Sequence, residues 1–119
     1  MIHVYLCKEC NEIKASKEIL HGEHLVELVP HAKDETNEKH VPVIEVEGKK
    51  VTVKIGAVPH PMTEAHLITD IYLETDKRVL HAKLTHTDAP QAEFELEEGE
   101  TVIAAYDYCN LHGLWVKEN

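Results

Sequence analysis

The stretch Tyr108-Cys109-Asn110-Leu111-His112-Gly113-Leu114-Trp115 places a soft sulfur donor and an imidazole three positions apart. A glycine follows, where the backbone can turn sharply or take positive φ. A Cys-x-x-His pair can offer one metal ion two ligands from a single loop, but two ligands are not a site. The chain has imidazoles to spare, with ten histidines in 119 residues. His40 precedes Val41-Pro42. His60 lies between two prolines, which restrict the backbone and help hold an imidazole in place. His66 follows six residues later. With Cys109 and His112 these make four imidazoles and one thiolate, a five-coordinate set with one position open for a substrate. Imidazole suits iron, copper and zinc, whereas thiolate is soft and electron-donating. A zinc site would usually stop at four ligands, so five candidates with one thiolate favour iron. His3, His31, His81 and His86 read as surface or packed residues.

A second sulfur pair lies near the start. Cys7-Lys8-Glu9-Cys10 is a C-x-x-C knuckle, normally half of a tetrahedral metal site. No further cysteine occurs before Cys109, and His21 and His24 are the local candidates for the other half. Their spacing is shorter than in usual zinc patterns. The knuckle reads as a turn retained for packing, and whether Cys7 and Cys10, with His21 and His24, bind a second metal stays open.

These residues must be positioned by a small fold. The length suggests one main domain with a small appendage. Apolar residues make up 43% of the chain, enough for a real core. The 22 acidic residues against 12 basic ones give a net charge of −10, which argues against binding a nucleic-acid backbone. No apolar run approaches the roughly 18 residues of a membrane span. The start, Met1 to Cys7, has no basic region followed by an apolar stretch, so no signal peptide is expected and the cytoplasm is the expected location. Thiols stay reduced there, and three cysteines are better read as ligands or bystanders than as a disulfide frame.

Residues 1–37 read as a small β module and linker. Leu25 to Val29 is strand-like, Pro30 ends it, and His31 to Asn37 is polar. The module is too short to bury much core alone. From residue 38 to 119 the chain reads as a main domain of short strands separated by turns. Val41 to Glu47 leads to a Gly48-Lys49 hairpin turn. Lys50 to Ile55 alternates, with Val51, Val53 and Ile55 facing in. A proline-rich loop precedes a strand over Ala65–Glu74, and Thr63-Glu64-Ala65 makes a single helical turn at most. Arg78–Thr87, Ala92–Glu97, Thr101–Tyr108 and Leu114–Val116 follow. About seven strands at spacings of roughly 8–12 residues predict an antiparallel β-sandwich.

Three blocks carry a family resemblance. Glu38-Lys39-His40-Val41-Pro42-Val43, then Gly56-Ala57-Val58-Pro59-His60-Pro61-Met62-Thr63-Glu64-Ala65-His66, then Tyr108 to Trp115 occur in order. Over residues 38–119 the chain closely resembles the superoxide reductase family, which includes desulfoferrodoxin and neelaredoxin. The resemblance implies an immunoglobulin-like β-sandwich with one mononuclear non-haem iron per chain, cycling between Fe2+ and Fe3+. It implies His40, His60, His66 and His112 as equatorial ligands and Cys109 as the axial one. The implied reaction, a detoxification, is one-electron reduction of superoxide to hydrogen peroxide. Lys39 matches the family's lysine, which would attract the anion and orient a proton-donating water. Glu38 matches a glutamate that can occupy the sixth position of the oxidised iron. A rubredoxin-like electron donor and a homodimer are the implied partners. Residues 1–37 resemble the desulforedoxin-like module of desulfoferrodoxins, which holds a second iron with four cysteines. Here Leu25 to Pro30 stands where the second cysteine pair would fall, so the module is expected to be degenerate and to hold no second iron.

Two other readings compete. One is a zinc-binding hydrolase or structural zinc protein built on Cys109 and three histidines. The other is a metal-binding β-sandwich module without redox activity. Visible absorption separates iron from zinc, since zinc is colourless and ferric thiolate absorbs.

Overall fold

The computed structural model describes residues 2–32, 39–56 and 60–119. Ten strands are present among them: β1 (His3–Cys7), β2 (Ile13–Ser16), β3 (Leu25–Glu27), β4 (Pro42–Glu47), β5 (Lys50–Ile55), β6 (Ile68–Thr75), β7 (Val79–Lys83), β8 (Gln91–Glu95), β9 (Val102–Cys109) and β10 (Gly113–Glu118). They form three sheets, ordered β2-β1-β3, β10-β9-β6-β7 and β4-β5-β8. All the strand pairs are antiparallel. No helix among the described residues is long and apolar enough to cross a membrane.

The last two sheets make the expected seven-stranded sandwich. Its core lies between Val51, Val53 and Ile55 of β5 and Ile71 and Leu73 of β6, with Ile68, Leu96, Val102, Ala105 and Cys109 around them. Val51, Val53 and Ile55 are at most 1% exposed, while Lys50 and Lys54, which alternate with them, face solvent. That is the period-two pattern read from the sequence. Each such side chain contributes about 1.5–3 kcal/mol by leaving water. Gly48 closes the β4–β5 hairpin at φ 62°, a conformation glycine adopts without strain.

The N-terminal sheet makes a third layer. Ile2, Val4 and Ile13 pack on Tyr72, Ala104, Tyr106, Leu114 and Val116. Those five belong to the outer face of β10-β9-β6, so the central sheet is covered on both sides. This explains why β6 and β9 are buried almost throughout instead of alternating. Lys17 Nζ donates to Thr75 O at 2.8 Å, and the hydroxyl of Tyr72 donates to Ile13 O at 3.3 Å. His31 lies along β10, pairing in parallel with Trp115 through bonds of 2.8 and 2.9 Å.

Strand ends differ from the sequence reading where local turns claim the backbone. Thr63 and His66 exchange backbone hydrogen bonds at 2.9 and 3.3 Å, which closes a bend with no helical turn, and β6 starts only at Ile68. At the far end of β7, Thr85 N–H donates to Asp88 Oδ2 at 2.7 Å. That turn stops the strand at Lys83 instead of Thr87.

Candidate metal centre

Loops at one end of the sandwich bring the predicted donors together. His40 stands just before β4, His60 and His66 lie between β5 and β6, and Cys109 ends β9. The donor atoms of His40, His60, His66 and Cys109 all lie within 4.8 Å of one another. This is the one grouping of three or more such residues among the described residues. His112 stands at its rim, solvent-exposed. Its ring centroid is 4.8 Å from that of His40 and 5.1 Å from that of His66.

The chemistry of the donors fits a cation. His60 Nδ1 lies 2.7 Å from Pro61 O, so Nδ1 carries the hydrogen and Nε2 keeps its lone pair. That Nε2 and the Nε2 of His66 are buried with no hydrogen-bond partner among the described residues. A buried polar nitrogen left so costs about 1–3 kcal/mol. Coordination by a metal ion would satisfy both. Burial pushes the His60 imidazole down to about 4, and its histidine neighbours push the same way. His66 is lowered by burial first, then by His112, His40 and Lys39. Both rings are therefore neutral near pH 7, the form that binds metals.

Burial pushes the Cys109 thiol up, opposed by hydrogen bonds from the backbone N–H groups of Leu111 and His112. A cation beside the sulfur would favour the thiolate. Alternation along β9 points the sulfur inward on the same face as Ala105, and a bulge on β6 brings Ile68 beside it. Ile68 pairs with Cys109 and Asp70 with Tyr108, so Thr69 is an extra residue on β6. Asn110 ties the cysteine loop to the segment of His66. Its Oδ1 accepts from Leu67 N–H at 3.0 Å, its Nδ2 donates to Ala65 O at 3.0 Å, and its backbone N–H donates to Leu67 O at 3.2 Å. Gly113 then turns the chain at φ 83° into β10.

Two side chains of the site had no role in the sequence reading, which looked only to the backbone around Asn110 to His112 for hydrogen bonds to the sulfur. Asn110 is one: the contact spans 43 and 45 positions, which no local pattern reveals. Trp115 is the other. Its ring stacks on His40 at 4.8 Å and 17°, and its Nε1–H donates to His112 O at 3.2 Å. The indole thus fixes the bases of two candidate ligands. Two positions along β9 from Cys109, Asp107 is fully buried, and both its carboxylate oxygens are without a partner among the described residues. Burial raises this carboxyl well above the usual range.

Lys39 is half-buried and close enough to His66 for its charge to bear on that ring. Glu38 lies outside the described residues. Of the other histidines, His31 packs its ring on Trp115 at 4.8 Å, while His81, His3 and His86 sit apart. His81 Nε2 lies 2.7 Å from Asp70 Oδ1 and its ring stacks on Tyr72 at 4.3 Å. His3 contacts Glu27 at 2.9 Å, and His86 faces Glu64 at 3.6 Å. At the N-terminal knuckle, Cys7 is buried and Cys10 exposed.

Fold and site together define a seven-stranded β-sandwich whose loops build a histidine–cysteine cluster able to hold a metal ion. The family model named Desulfoferrodoxin matches residues 32–118, and the chain belongs to the desulfoferrodoxin family. A desulfoferrodoxin homolog of Archaeoglobus fulgidus is 40% identical over 124 residues, covering 97% of this chain and 95% of the relative. A protein of Thermococcus kodakarensis named superoxide reductase is 38% identical over 102 residues, covering 71% of this chain and 89% of its own length. Among solved structures, the superoxide reductase of Treponema pallidum superposes with a TM-score of 0.86 at 32% identity, covering 99% of this chain and 98% of that one.

Proposed function

We propose that this chain is a superoxide reductase, an oxidoreductase that converts superoxide to hydrogen peroxide by adding one electron and two protons. The observation that carries the reading is the cluster in which His60 Nε2 and His66 Nε2, buried and without a hydrogen-bond partner among the described residues, gather with His40 and Cys109. Relatives named superoxide reductase support it.

His40, His60, His66, His112 and Cys109 would hold one mononuclear non-haem iron. Bound there, iron supplies a one-electron couple between its ferrous and ferric states. Four neutral imidazoles and one thiolate leave a ferrous site with net positive charge, attractive to an anion. The Cys109 thiolate is electron-rich and favours the ferric state, and the N–H groups of Leu111 and His112 moderate it. The apolar wall behind Cys109, including Ile68 and Ile55, keeps water from the sulfur.

Lys39 sets the approach of substrate. The chain carries a net charge of −10, which repels superoxide at long range. An ammonium beside His66 reverses that locally and can orient a water whose proton is delivered to the reduced substrate. By the family resemblance, Glu38, next in sequence, would supply a carboxylate to the oxidised iron between turnovers. In this reading residues 38–119 are the catalytic domain and residues 1–37 a supporting module without a second iron. A rubredoxin-like protein of the cytoplasm is the electron donor, and the chain works as a homodimer.

The test is metal analysis with visible absorption, on protein from cells grown with added iron. The expected result is one iron per chain, no zinc, and a visible band of the oxidised protein that disappears in Cys109→Ser. A colourless protein with stoichiometric zinc, or no iron after anaerobic reconstitution, would overturn the reading.

A further inference from the structure

The knuckle Cys7-Lys8-Glu9-Cys10 is not used by the site above. Cys7 is the last residue of β1, and its N–H donates to Glu12 O at 2.9 Å. Asn11 N–H donates back to Cys7 O at 2.8 Å, with Asn11 in the left-handed region at φ 62°. Lys8 N–H donates to His24 O at 2.7 Å, which pins the turn to the start of β3. This closed turn puts both sulfurs on one side. Cys10 N–H donates to Cys7 Sγ at 3.4 Å, and the two thiols lie near enough for each to shift the ionisation of the other. Cys7 is 4% exposed, whereas Cys10 is open to solvent.

Two sulfurs fall short of the four donors of a closed tetrahedral site. No third donor joins them among the described residues, where the one cluster of three or more is that of His40, His60, His66 and Cys109. What two neighbouring thiols can do without a metal is give up two electrons and form a bond.

We propose that Cys7 and Cys10 form a reversible dithiol–disulfide pair that is oxidised by hydrogen peroxide. Cys10, the sulfur that solvent reaches, passes its proton to the neighbouring Cys7 sulfur and attacks peroxide as thiolate. A sulfur–oxygen bond forms, the oxygen–oxygen bond breaks, and the leaving oxygen takes a proton to depart as water, leaving a sulfenic acid on Cys10. Cys7 then attacks Cys10 Sγ from beneath. The sulfur–sulfur bond forms, and the hydroxyl leaves with the Cys7 proton as a second water. In sum two thiols and one peroxide give one disulfide and two waters, each sulfur losing one electron. The Cys10 N–H bond stabilises the negative charge that develops on Cys7 as its proton passes to the leaving hydroxyl. The proposal does not depend on which metal the other site holds.

The test treats the full chain, as purified and again after chelation of its metal, with stepped additions of hydrogen peroxide. Remaining thiols are alkylated and the peptides mapped by mass. The expected product is an unalkylated Cys7–Cys10 peptide lighter by two hydrogens. It should form at least about tenfold faster than Cys109 is lost in the chelated chain, and dithiothreitol should restore it. Cys7→Ser should stop at a Cys10 sulfenic acid that dimedone traps. Three results would overturn the proposal: Cys7 and Cys10 still alkylated when Cys109 has reacted, Cys10 over-oxidised while Cys7 stays free, or both thiols protected until a chelator strips a metal from them.

Discussion

Asp107 offers the sharpest test of how the interior is built. Its side chain is on the inward face of β9, between Ala105 and Cys109, and it pairs in register with Ile71 and Trp115. It is 0% exposed, and neither oxygen has a partner among the described residues. Leaving such a group unsatisfied costs about 1–3 kcal/mol. Asp107→Val removes both oxygens, adds roughly one methyl of volume, and puts a β-branched residue into a central strand. Overpacking by about a methyl offsets part of the gain. The expected net effect is stabilisation by about 1–2 kcal/mol. Urea unfolding followed by Trp115 fluorescence, on chelated protein so that metal linkage does not enter, should show a midpoint higher by about 1 M at unchanged slope. Asp107→Asn keeps the shape and the unsatisfied polarity, so it should change stability by only a few tenths of a kcal/mol. If Asp107→Val destabilised by 1 kcal/mol or more, the carboxyl would have a stabilising partner, such as a buried water, and the reasoning would fail.

Other expectations follow from the same structure. Glu100 accepts from Arg78 Nε and Nη2 at 2.9 and 3.0 Å and from the Thr75 hydroxyl, and these hold its carboxyl down to about 2, from 4.5. A depressed carboxylate stabilises above its unfolded value and loses that contribution as pH falls through the folded one. Glu100→Gln should therefore lower the thermal midpoint at pH 7, with the gap narrowing between about pH 4.5 and pH 2; a pH-independent gap would contradict this. Gly113→Ala meets no clash but is forced to φ 83°, so chemical denaturation should show a loss of about 1 kcal/mol, and His112 should hold its metal less tightly. Lys39→Ala should slow the bimolecular reaction with superoxide about tenfold and flatten its salt dependence, with Lys39→Arg largely restoring both; a rate untouched by Lys39→Ala would remove the steering role.

The sandwich was legible because its signals are local. Val51, Val53 and Ile55 alternate, and Gly48 and Gly99 mark turns, so periodicity alone gives strands and their inward faces. The metal cluster was legible for a different reason. His40, His60, His66 and Cys109 are donors of uncommon chemistry set beside prolines and glycine, and the family resemblance gathers them into one set although they lie far apart along the chain. Long-range contacts stayed hidden. Asn110 reads as a loop residue until its bonds to Ala65 and Leu67 are seen. Tyr72 and Tyr106 read as ordinary strand aromatics, yet they form the bed on which Ile2, Val4 and Ile13 pack. Asp107 broke the pattern outright: a carboxylate between inward-facing residues is not something alternation anticipates.

The central claim is that the histidine–cysteine cluster reduces superoxide and does not dismutate it. The direct measurement is the stoichiometry of rapid mixing of the reduced, iron-loaded chain with limiting superoxide. One peroxide formed per superoxide consumed, with one chain oxidised and no dioxygen evolved, is the result the reading requires. One peroxide for every two superoxides, with dioxygen released and the chain still reduced, would mark a dismutase and contradict it.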